Sequence, residues 1–461
     1  MNAVAVTLRE WETRHPEPDS PLAGLSLAGQ PAAQRLAEML TASGQLEVLE
    51  LRHGLELRAA AHVGHLNLGA LTVTIQPKLT GAPLLTLLRY AYSLRDLKLF
   101  ERVDTGTAPQ TFQDLLIHQL VAEVAELLAR GLHREYERVT EPLASPRGKL
   151  DFIAYTRQEG AGRATLPCIH HPRLAATLLN QVLLAGLEFA APLTADLELR
   201  TRLRRLEQTL ALDVPLVRLD GNALHAARRA LDRRTVGYEP SLTLLELLWQ
   251  SAGMAWEEAT PGPRLPGLLF DMNRFFQALL SRFLHMYLTG YTVQDEYRLQ
   301  DLFTYDPAHN PQRRRPPMPR PDFVVQRAGQ VVAVLDAKYR DLWERPLPRE
   351  MLYQLALYAL SHAECRQAVI LYPTLDTVAV EQRIHIHEPL YGAGRAQVVL
   401  RPVNLLHLAG LLQSPRTRAR EVECAAWVQH WVFGKRKMRG ETLTDRIPLS
   451  VRACMKDDTI W

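Results

Sequence analysis

Residues 321–340 read PDFVVQRAGQVVAVLDAKYR, and this stretch decides the fold of the C-terminal half. Two apolar runs rich in valine flank the polar residues QRAGQ, which is the pattern of two strands joined by a turn. We predict a β-hairpin with a three-residue loop centred on Gly329. Charged residues stand where the strands end: Asp322 precedes the first strand, and Asp336 and Lys338 close the second. Charges at matching ends of a buried hairpin indicate a functional site.

The register of this hairpin decides whether the charged side chains meet. A loop centred on Gly329 pairs Asp322 directly with Asp336, and the alternation of a strand places Lys338 on the same face as Asp336. An even-numbered loop would place the two aspartates on opposite faces. The prediction of a shared site therefore depends on an odd-numbered loop.

Two opposed carboxylates repel each other, and poor screening beside buried strands increases the repulsion. A divalent cation removes it, and Mg²⁺ prefers one or two carboxylates with a backbone carbonyl, water and phosphate oxygens. We predict a Mg²⁺ site formed by Asp322, Asp336 and the carbonyl of Ala337, with Lys338 beside it to hold or deprotonate a water that attacks phosphorus. The alternative is a turn residue at Asp322 and an exposed Asp336–Lys338 salt bridge. The apolar run Val331–Leu335 favours the metal site, because it predicts a covered strand.

The composition excludes several classes of protein. The chain has 461 residues, of which 47% are hydrophobic and 23% charged, as in globular domains rather than disordered chains. No apolar run is long enough to span a membrane, the N-terminus reaches charged residues too early for a signal peptide, and four scattered cysteines fit a reducing compartment. We expect a cytoplasmic protein without a membrane partner. Neither Gly-Lys pair lies in a P-loop motif, so we predict no nucleotide hydrolysis by this chain.

Hydrophobic periodicity predicts a multidomain α+β protein. We expect a mixed N-terminal domain, a mainly helical middle region, a C-terminal α/β domain and a basic tail, over residues 1–105, 106–260, 261–405 and 406–461. The segment TPGPRLPG at 260–267 breaks helices and marks one boundary. The α/β domain follows the order helix, strand, strand, helix, strand, with its helices near 271–288 and 348–362.

The helix after the hairpin carries Gln354 and Tyr358, which are four residues apart and share a face. Following the Pro-Asp pair and the Asp-x-Lys triplet, they resemble the PD-(D/E)xK nuclease core, specifically its RecB-like branch. A longer ordered series of segments is similar to the McrC nuclease subunits of GTP-dependent, modification-directed restriction systems. The segments, between about residues 60 and 405, are IQPKL (75–79), RGKLDF (147–152), the LPC…LLNQVL region (166–183), LLFDMNRFFQALL (268–280), RPDFVV, LDAKYR, YQLALYAL and VILYP.

This resemblance implies a Mg²⁺-dependent DNA endonuclease subunit. Such a subunit cuts modified DNA when a hexameric AAA+ GTPase delivers it, and it stimulates the GTP hydrolysis of that partner. The resemblance implies that Asp322 and Asp336 are metal ligands and that Lys338 is the catalytic lysine. It implies further that Gln354 and Tyr358 support the site or contact DNA.

The same resemblance implies that the N-terminal and helical regions dock on the GTPase ring. Arg147 in RGKLDF is a candidate contact, with a buried structural arginine as the alternative. A group of arginines before the hairpin is a candidate for contacts with DNA phosphates, with a solvated basic loop as the alternative. The group comprises Arg313, Arg314, Arg315 and Arg320.

One position departs from the family pattern. The helix before the hairpin usually presents Phe-Glu, and here the pair is Phe276-Gln277. Glutamine offers a carbonyl oxygen but no negative charge, so Gln277 would be a weaker metal ligand, and Asp271 is the nearest acid upstream. The departure favours a regulator that keeps the nuclease fold and mainly controls the GTPase. A stand-alone RecB-like nuclease is a further alternative, in which the large helical region would lack an evident purpose.

Overall fold

The computed structural model describes residues 4–95, 112–158, 165–252, 267–300, 302–361, 365–390 and 392–434. The N-terminal part mixes strands and helices, as the sequence predicts. Its elements are β1 (Val4–Arg9), β2 (Thr13–Arg14), α1 (Pro31–Ala42), β3 (Leu46–Leu51), β4 (Gly54–Ala59), β5 (His62–Leu68), β6 (Leu71–Gln76) and α2 (Gly81–Ala91).

Two small sheets organise this part. Strand β1 pairs in parallel with β6, which pairs with β5 in antiparallel fashion, while β2, β4 and β3 form the second sheet. The alternation predicted in LTVTIQ is present, since Leu71, Val73 and Ile75 are buried and the threonines between them are half-buried. Their apolar face packs into a core shared with α1 and the strands of the second sheet.

The middle part is mainly helical, as predicted, but two further small sheets interrupt it. Its elements are α3 (Phe112–Arg130), β7 (Glu135–Tyr136), β8 (Val139–Leu143), β9 (Lys149–Leu150), α4 (Phe152–Gln158), β10 (Leu166–His170), β11 (Arg173–Leu174), α5 (Leu178–Ala190), α6 (Leu197–Ala211), α7 (Gly221–Arg229) and α8 (Glu239–Ala252). One of these sheets has three strands in the order β8-β10-β9, and the other consists of β11 and β7. Helices α3 and α5 are buried along most of their length, so they form the centre of this region.

The C-terminal part contains the predicted α/β order. Its elements are β12 (Gly267–Asp271), α9 (Met272–Tyr287), β13 (Thr292–Asp295), β14 (Phe323–Arg327), β15 (Gln330–Ala337), α10 (Arg349–Ser361), β16 (Gln367–Thr374), β17 (Gln382–His387), β18 (Gly394–Asn404), α11 (Leu405–Gln413) and α12 (Arg418–Phe433). The helices predicted near 271–288 and 348–362 are confirmed as α9 and α10. The short edge strands β13 and β17 were not predicted, because their exposed residues lack a strong apolar pattern.

A six-stranded sheet forms the frame of the C-terminal part, in the order β13-β14-β15-β16-β18-β17. Its central pairs, β15 with β16 and β16 with β18, are parallel, and the outer pairs are antiparallel. Helix α10 covers the face that carries Val334, through Leu355 and Tyr358. Helices α9 and α12 cover the face that carries Leu335, through residues such as Phe283 and Trp431. The central strands are therefore buried on both sides.

The regions are joined more closely than the sequence predicts. Strand β12 follows the segment TPGPRLPG and pairs with β5 of the N-terminal sheet. This pairing needs Gly64, whose φ is +144° and where a Cβ atom would lie 2.0 Å from the carbonyl oxygen of Leu268. Two of the predicted boundaries, at 105/106 and 260/261, lie outside the described residues.

The basic tail predicted at residues 406–461 is partly a folded segment. Its first part, up to Phe433, belongs to α11 and α12, which pack against α2 and α9. The buried residues Cys424, Val428 and Trp431 on α12 explain this packing, since they place an apolar stripe on the helix. The remaining predicted tail, residues 435–461, lies outside the described residues.

No helix within the described ranges is long and apolar enough to cross a membrane.

Candidate active site

The turn of the hairpin is shorter than predicted. Strands β14 and β15 are joined by Ala328 and Gly329 alone, with φ angles of 50° and 80°. Two consecutive residues of positive φ are the requirement of a type I′ turn, which matches the twist of the strands it joins. The three-residue loop predicted from the sequence is therefore wrong. By itself, a two-residue loop would place the two aspartates on opposite faces.

A β-bulge in β15 restores the predicted pairing. Next to the turn, Gln326 pairs with Val331, but one step further Val325 pairs with Ala333, so the strand contains one extra residue. The shifted register continues to the pair Phe323–Leu335, which places Asp322 opposite Asp336. The Oδ2 atom of Asp322 accepts a hydrogen bond of 2.7 Å from the amide of Ala337. The two carboxylates therefore meet at the end of the hairpin.

Asp336 is a buried acid with little compensation. Only 2% of the residue is exposed, and neither carboxylate oxygen accepts a well-directed hydrogen bond from the described residues. Its nearby cation is Lys338, whose Nζ lies 3.0 Å from Oδ2. Burial raises the pKa of Asp336, while the ammonium of Lys338 opposes that rise. An ionised carboxylate in this position calls for a cation.

The same surroundings shift the pKa of Asp322. Burial and, next, the charge of Asp336 raise the pKa of Asp322 to about 7, against the effects of Lys338 and the Ala337 amide. Burial lowers the pKa of Lys338, but the carboxylates of Asp336 and Asp322 outweigh it, so this pKa is raised. Lys338 is therefore an ammonium ion in the metal-free protein.

The residues at this end of the sheet fit a hard divalent cation. Two facing carboxylates supply oxygen donors, and the buried oxygens of Asp336 lack partners that a metal would provide. A third acid, histidine or cysteine does not join them within the described parts of the chain. The carbonyl of Ala337 stays a predicted ligand. A Mg²⁺ ion held by two carboxylates and completed by water or phosphate oxygens matches this donor set.

Gln277 lies on α9, beside the buried residue Phe276. The ring of Phe276 packs edge-on against Tyr339 at a centroid distance of 6.0 Å, on the face opposite to that of α10. The half-buried side chain of Gln277 forms no hydrogen bond with either aspartate, and its role as a ligand stays a prediction. Asp271 does not replace it, because its carboxylate caps α9 by accepting from the amides of Asn273 and Arg274.

Helix α10 brings the predicted glutamine and tyrosine to the site. The Nε2 atom of Gln354 donates to the hydroxyl of Tyr358 over 2.7 Å. Tyr358 is buried, and burial raises its pKa. The hydrogen bond from Gln354 and the charge of Lys338 lower this pKa, whereas the charges of Asp336 and Asp322 raise it. Tyr358 thus lies within the electrostatic reach of the two carboxylates and of Lys338. The five predicted catalytic residues therefore share one face and one end of the sheet.

The arginines before the hairpin separate into two groups. Arg313, Arg314 and Arg315 are exposed, and Asn310 orders their loop by accepting from the amide of Arg314 at 2.9 Å. Arg320 instead donates to both the carbonyl and the carboxylate of Glu296. Glu296 was not singled out from the sequence, although its amide donates to the carbonyl of Asp322 at 2.7 Å. The unpredicted strand β13 is what brings this acid next to the site.

Arg147 lies far along the chain from this site, before β9. It is exposed, so the alternative of a buried structural arginine is wrong. It lines an open cavity of about 730 Å³ together with Arg138, Lys149 and His171. Its role as a partner contact stays a prediction.

The raised pKa of Asp322 gives a test on the metal-free protein. A raised pKa means that the folded state holds a proton that the unfolded chain has already lost, so stability falls as the pH rises from about 4 to about 7. We expect Asp322→Asn to flatten this dependence by an amount on the order of a few kcal/mol across that window. The measurement is urea unfolding with EDTA at several pH values, followed by tryptophan fluorescence.

Glu10, whose pKa burial also raises to about 7, contributes equally to both proteins and cancels in the comparison. Identical pH profiles for the wild type and Asp322→Asn would contradict the coupling of the two carboxylates.

Comparisons with known proteins relate this chain to one family. A family model for McrBC 5-methylcytosine restriction system components matches residues 57–373, which include all five residues of the site. The chain is similar to a half-complex from the tetradecameric assembly of Thermococcus gammatolerans McrB AAA+ hexamers with bound McrC, with a TM-score of 0.63 and 18% identity over 92% of this chain and 99% of that chain. It also matches the cryo-EM structure of the Thermococcus gammatolerans McrBC complex, with a TM-score of 0.46 and 21% identity over 62% of this chain and 89% of that chain. No curated protein matches at a significant level. The first structural match shows a shared fold.

Proposed function

The chain belongs to the family of McrBC 5-methylcytosine restriction system components, and on that premise we propose that it is the Mg²⁺-dependent DNA endonuclease subunit of such a system. The observation that supports this proposal is the buried carboxylate of Asp336, which faces the half-buried carboxylate of Asp322 and has the ammonium of Lys338 at 3.0 Å. A structural salt bridge would need one acid, not two whose charges oppose each other. We infer a PD-(D/E)xK nuclease core of the RecB-like branch.

The side chains divide the chemistry of phosphodiester hydrolysis between them. Asp322 and Asp336 would hold Mg²⁺, which supplies Lewis-acid stabilisation of the charge that develops on phosphate. The ammonium of Lys338 attracts the scissile phosphate and orients the water that attacks it. The negative charges of Asp336 and Asp322 raise the pKa of Lys338, so a cation that neutralises the two carboxylates would lower this pKa again. Lys338 could then lose its proton, and the neutral amine could accept one from the water. The hydroxyl of Tyr358, which accepts a hydrogen bond from Gln354, would position the phosphate or its water.

The proposed partner is a hexameric AAA+ GTPase. The structure similar to this chain is described as McrB AAA+ hexamers with bound McrC, and this chain lacks a P-loop of its own. Stimulation of GTP hydrolysis by docking of the N-terminal and helical regions is part of the proposal. Arg147, exposed beside a cationic cavity, is the predicted contact. A cytoplasmic location fits the free thiols of Cys168, Cys365 and Cys424.

Reconstitution tests the proposal directly. The chain is mixed with a McrB-type GTPase, duplex DNA carrying 5-methylcytosine, GTP and Mg²⁺, and the DNA products are separated on a gel. We expect double-strand cleavage that requires GTP and Mg²⁺ and that is lost with unmodified DNA. Cleavage by the chain alone would instead support a stand-alone nuclease.

One observation favours the second candidate, a nuclease-fold regulator with weak or no activity. The residue at the expected position of a metal-binding glutamate is Gln277, and it makes no contact with the aspartates through hydrogen bonds. Faster GTP hydrolysis on mixing, without any cleavage at up to millimolar Mg²⁺ or Mn²⁺, would establish this function and reject the first.

The exposed arginines give a test of DNA binding. We expect the triple substitution of Arg313, Arg314 and Arg315 by glutamine to weaken DNA binding and to flatten its salt dependence, by about 0.9 in the slope of log K against log salt for each lost phosphate contact. Fluorescence anisotropy of labelled duplex at several salt concentrations measures this slope.

Arg320→Gln is the matched comparison. We expect a smaller change of slope, because its guanidinium is already paired with Glu296. An unchanged slope in the triple variant would exclude these arginines as phosphate contacts.

A further inference from the structure

Strand β15 carries Asp336, and Lys338 follows it directly. Immediately after Lys338, hydrogen bonds join the chain to the N-terminal sheet. The ladder between β15 and β16 ends at the pair Ala337–Leu371, and the amide of Lys338 still donates to the carbonyl of Leu371 at 3.1 Å, so the chain leaves the sheet after Lys338. The next residue, Tyr339, is buried, and contacts from the N-terminal region hold it at both ends. Its hydroxyl donates to Oε1 of Glu10 at 3.1 Å, and its carbonyl accepts from Nε1 of Trp11 at 3.1 Å.

Glu10 and Trp11 are rigidly placed by their own sheet. The amide of Glu10 donates to the carbonyl of Gln76 at 3.0 Å, and the amide of Trp11 donates to the carbonyl of Ala60 at 3.3 Å. These residues therefore continue the N-terminal sheet beyond the last residue of β1. A hydrogen bond from them to Tyr339 transmits the position of that sheet to the catalytic strand.

Glu10 and Trp11 each have an energetically unfavourable feature that the N-terminal sheet does not require. Glu10 is 2% exposed, its Oε2 has no partner within the described chain, and burial raises its pKa to about 7. Trp11 adopts a φ of +64°, a left-handed conformation that is strained for a residue with a side chain. Strain and a buried acid persist where the surrounding structure imposes them, commonly at functional positions.

Further contacts join the same two surfaces. The guanidinium of Arg345 donates to the carbonyl of Trp11 at 2.6 Å, and that of Arg340 lies 5.4 Å from the centre of the Trp11 ring. Lys78, in the segment IQPKL, forms an ion pair with Glu344 at 2.9 Å, and its amide donates to Glu10. This segment, so far without a role, thus connects Glu10 to the loop after the catalytic strand.

We propose that Glu10 and Trp11 are positioning residues, which fix the backbone of Tyr339 and thereby hold the ammonium of Lys338 beside Asp336. Lysine has a long flexible side chain, so its reach is set by where its backbone is held. The hairpin and β16 place Asp322 and Asp336, and β16 also holds the amide of Lys338, so the anchor fixes the chain on the carbonyl side of Lys338. The inference rests on the proposed function only where it concerns cleavage.

Two conservative variants test the anchor. Trp11→Phe removes the indole N–H and keeps a ring beside Arg340, and Tyr339→Phe removes only the hydroxyl. We expect each to lower the cleavage rate about tenfold at saturating DNA and Mg²⁺, with an unchanged Mg²⁺ dissociation constant. Tyr372→Phe is the matched control, since Tyr372 is a buried tyrosine of the adjacent strand whose hydroxyl has no hydrogen-bond partner within the described chain. It should cut at the wild-type rate.

A spectroscopic measurement separates positioning from general damage. The chain has seven lysines, so selectively ¹³C-labelled lysine gives few signals, and the signal missing from Lys338→Met identifies Lys338. We expect Trp11→Phe and Tyr339→Phe to shift the signal of the Lys338 side chain at a fixed pH, because the ammonium moves away from Asp336. The Tyr372→Phe spectrum should match the wild type.

Each outcome decides between defined alternatives. A wild-type Lys338 signal in both variants overturns the inference, whether cleavage is unchanged or falls together with thermal stability. A shifted Lys338 signal with slower cleavage and intact stimulation of GTP hydrolysis supports it. If the wild type cuts no DNA, the proposed function fails, and the signal of Lys338 still tests the anchor.

Discussion

Asp336→Asn is expected to lower the rate of DNA cleavage by at least about a thousandfold. The variant keeps the shape of the side chain but removes the negative charge that would hold Mg²⁺ opposite Asp322. Loss of several kcal/mol of electrostatic stabilisation in the transition state corresponds to this factor. Cleavage of 5-methylcytosine-containing DNA with the GTPase partner measures it, and the Mg²⁺ dissociation constant from calorimetry should rise in parallel.

The same variant should not unfold the protein. In the wild type, Asp336 is 2% exposed and its oxygens lack good hydrogen bonds, so ionisation at this position opposes folding. We expect the metal-free variant to unfold at a urea concentration no lower than the wild type and to stimulate GTP hydrolysis normally. Asp306→Asn, at an exposed aspartate, is the control for the substitution itself. Cleavage above a tenth of the wild-type rate would exclude Asp336 from the site.

The hairpin shows how far the sequence determines this site. Its apolar runs and glycine predict the two strands, but not the register, because Val331–Leu335 is apolar throughout and tolerates a shift of one residue. The structure has a two-residue turn and a bulge, and these two departures from the predicted geometry cancel at Asp322 and Asp336. The aspartates face each other as predicted, for a different physical reason.

Contacts between distant segments could not be predicted from the sequence. Periodicity predicts α9 and α10, whose amphipathic patterns are local, but nothing local indicates that β12 joins the N-terminal sheet. The same holds for Glu10, an ordinary surface residue by its sequence context. Its burial against Tyr339 distinguishes it from the half-buried Glu12 and the exposed Glu17 that follow it in the chain.

Gln277 illustrates the opposite limit. The family resemblance assigns its position from the order of motifs, whereas the fold shows that its neighbour Phe276 packs on the face of the sheet that α10 does not cover. The proposed activity rests on Asp322, Asp336 and Lys338, which share a face, while the role of Gln277 as a ligand stays a prediction. A site with two acids would hold its metal less tightly than a site with three.

Lys338→Met is expected to lower cleavage by about a hundredfold to a thousandfold, the usual range for a group that handles a proton or charge in the transition state. Methionine preserves the length of the side chain and removes its charge. Its effect on metal binding should be opposite to that of Asp336→Asn. In the wild type the ammonium lies 3.0 Å from the carboxylate of Asp336 and competes with Mg²⁺ for it. Without it, Mg²⁺ affinity should rise at pH 8, where protons compete least for the carboxylates.

The contrast between these variants separates binding from chemistry. Asp336→Asn should lose cleavage because metal is lost, whereas Lys338→Met should lose it with metal bound, and added Mg²⁺ should rescue neither completely. Lys338→Arg is the matched control, because it keeps the charge beside Asp336 but cannot take a proton from water. If arginine restores cleavage, the lysine acts by charge alone; if it remains inactive with normal Mg²⁺ affinity, the proton transfer belongs to Lys338. Wild-type cleavage by Lys338→Met would reduce the pair to a structural salt bridge.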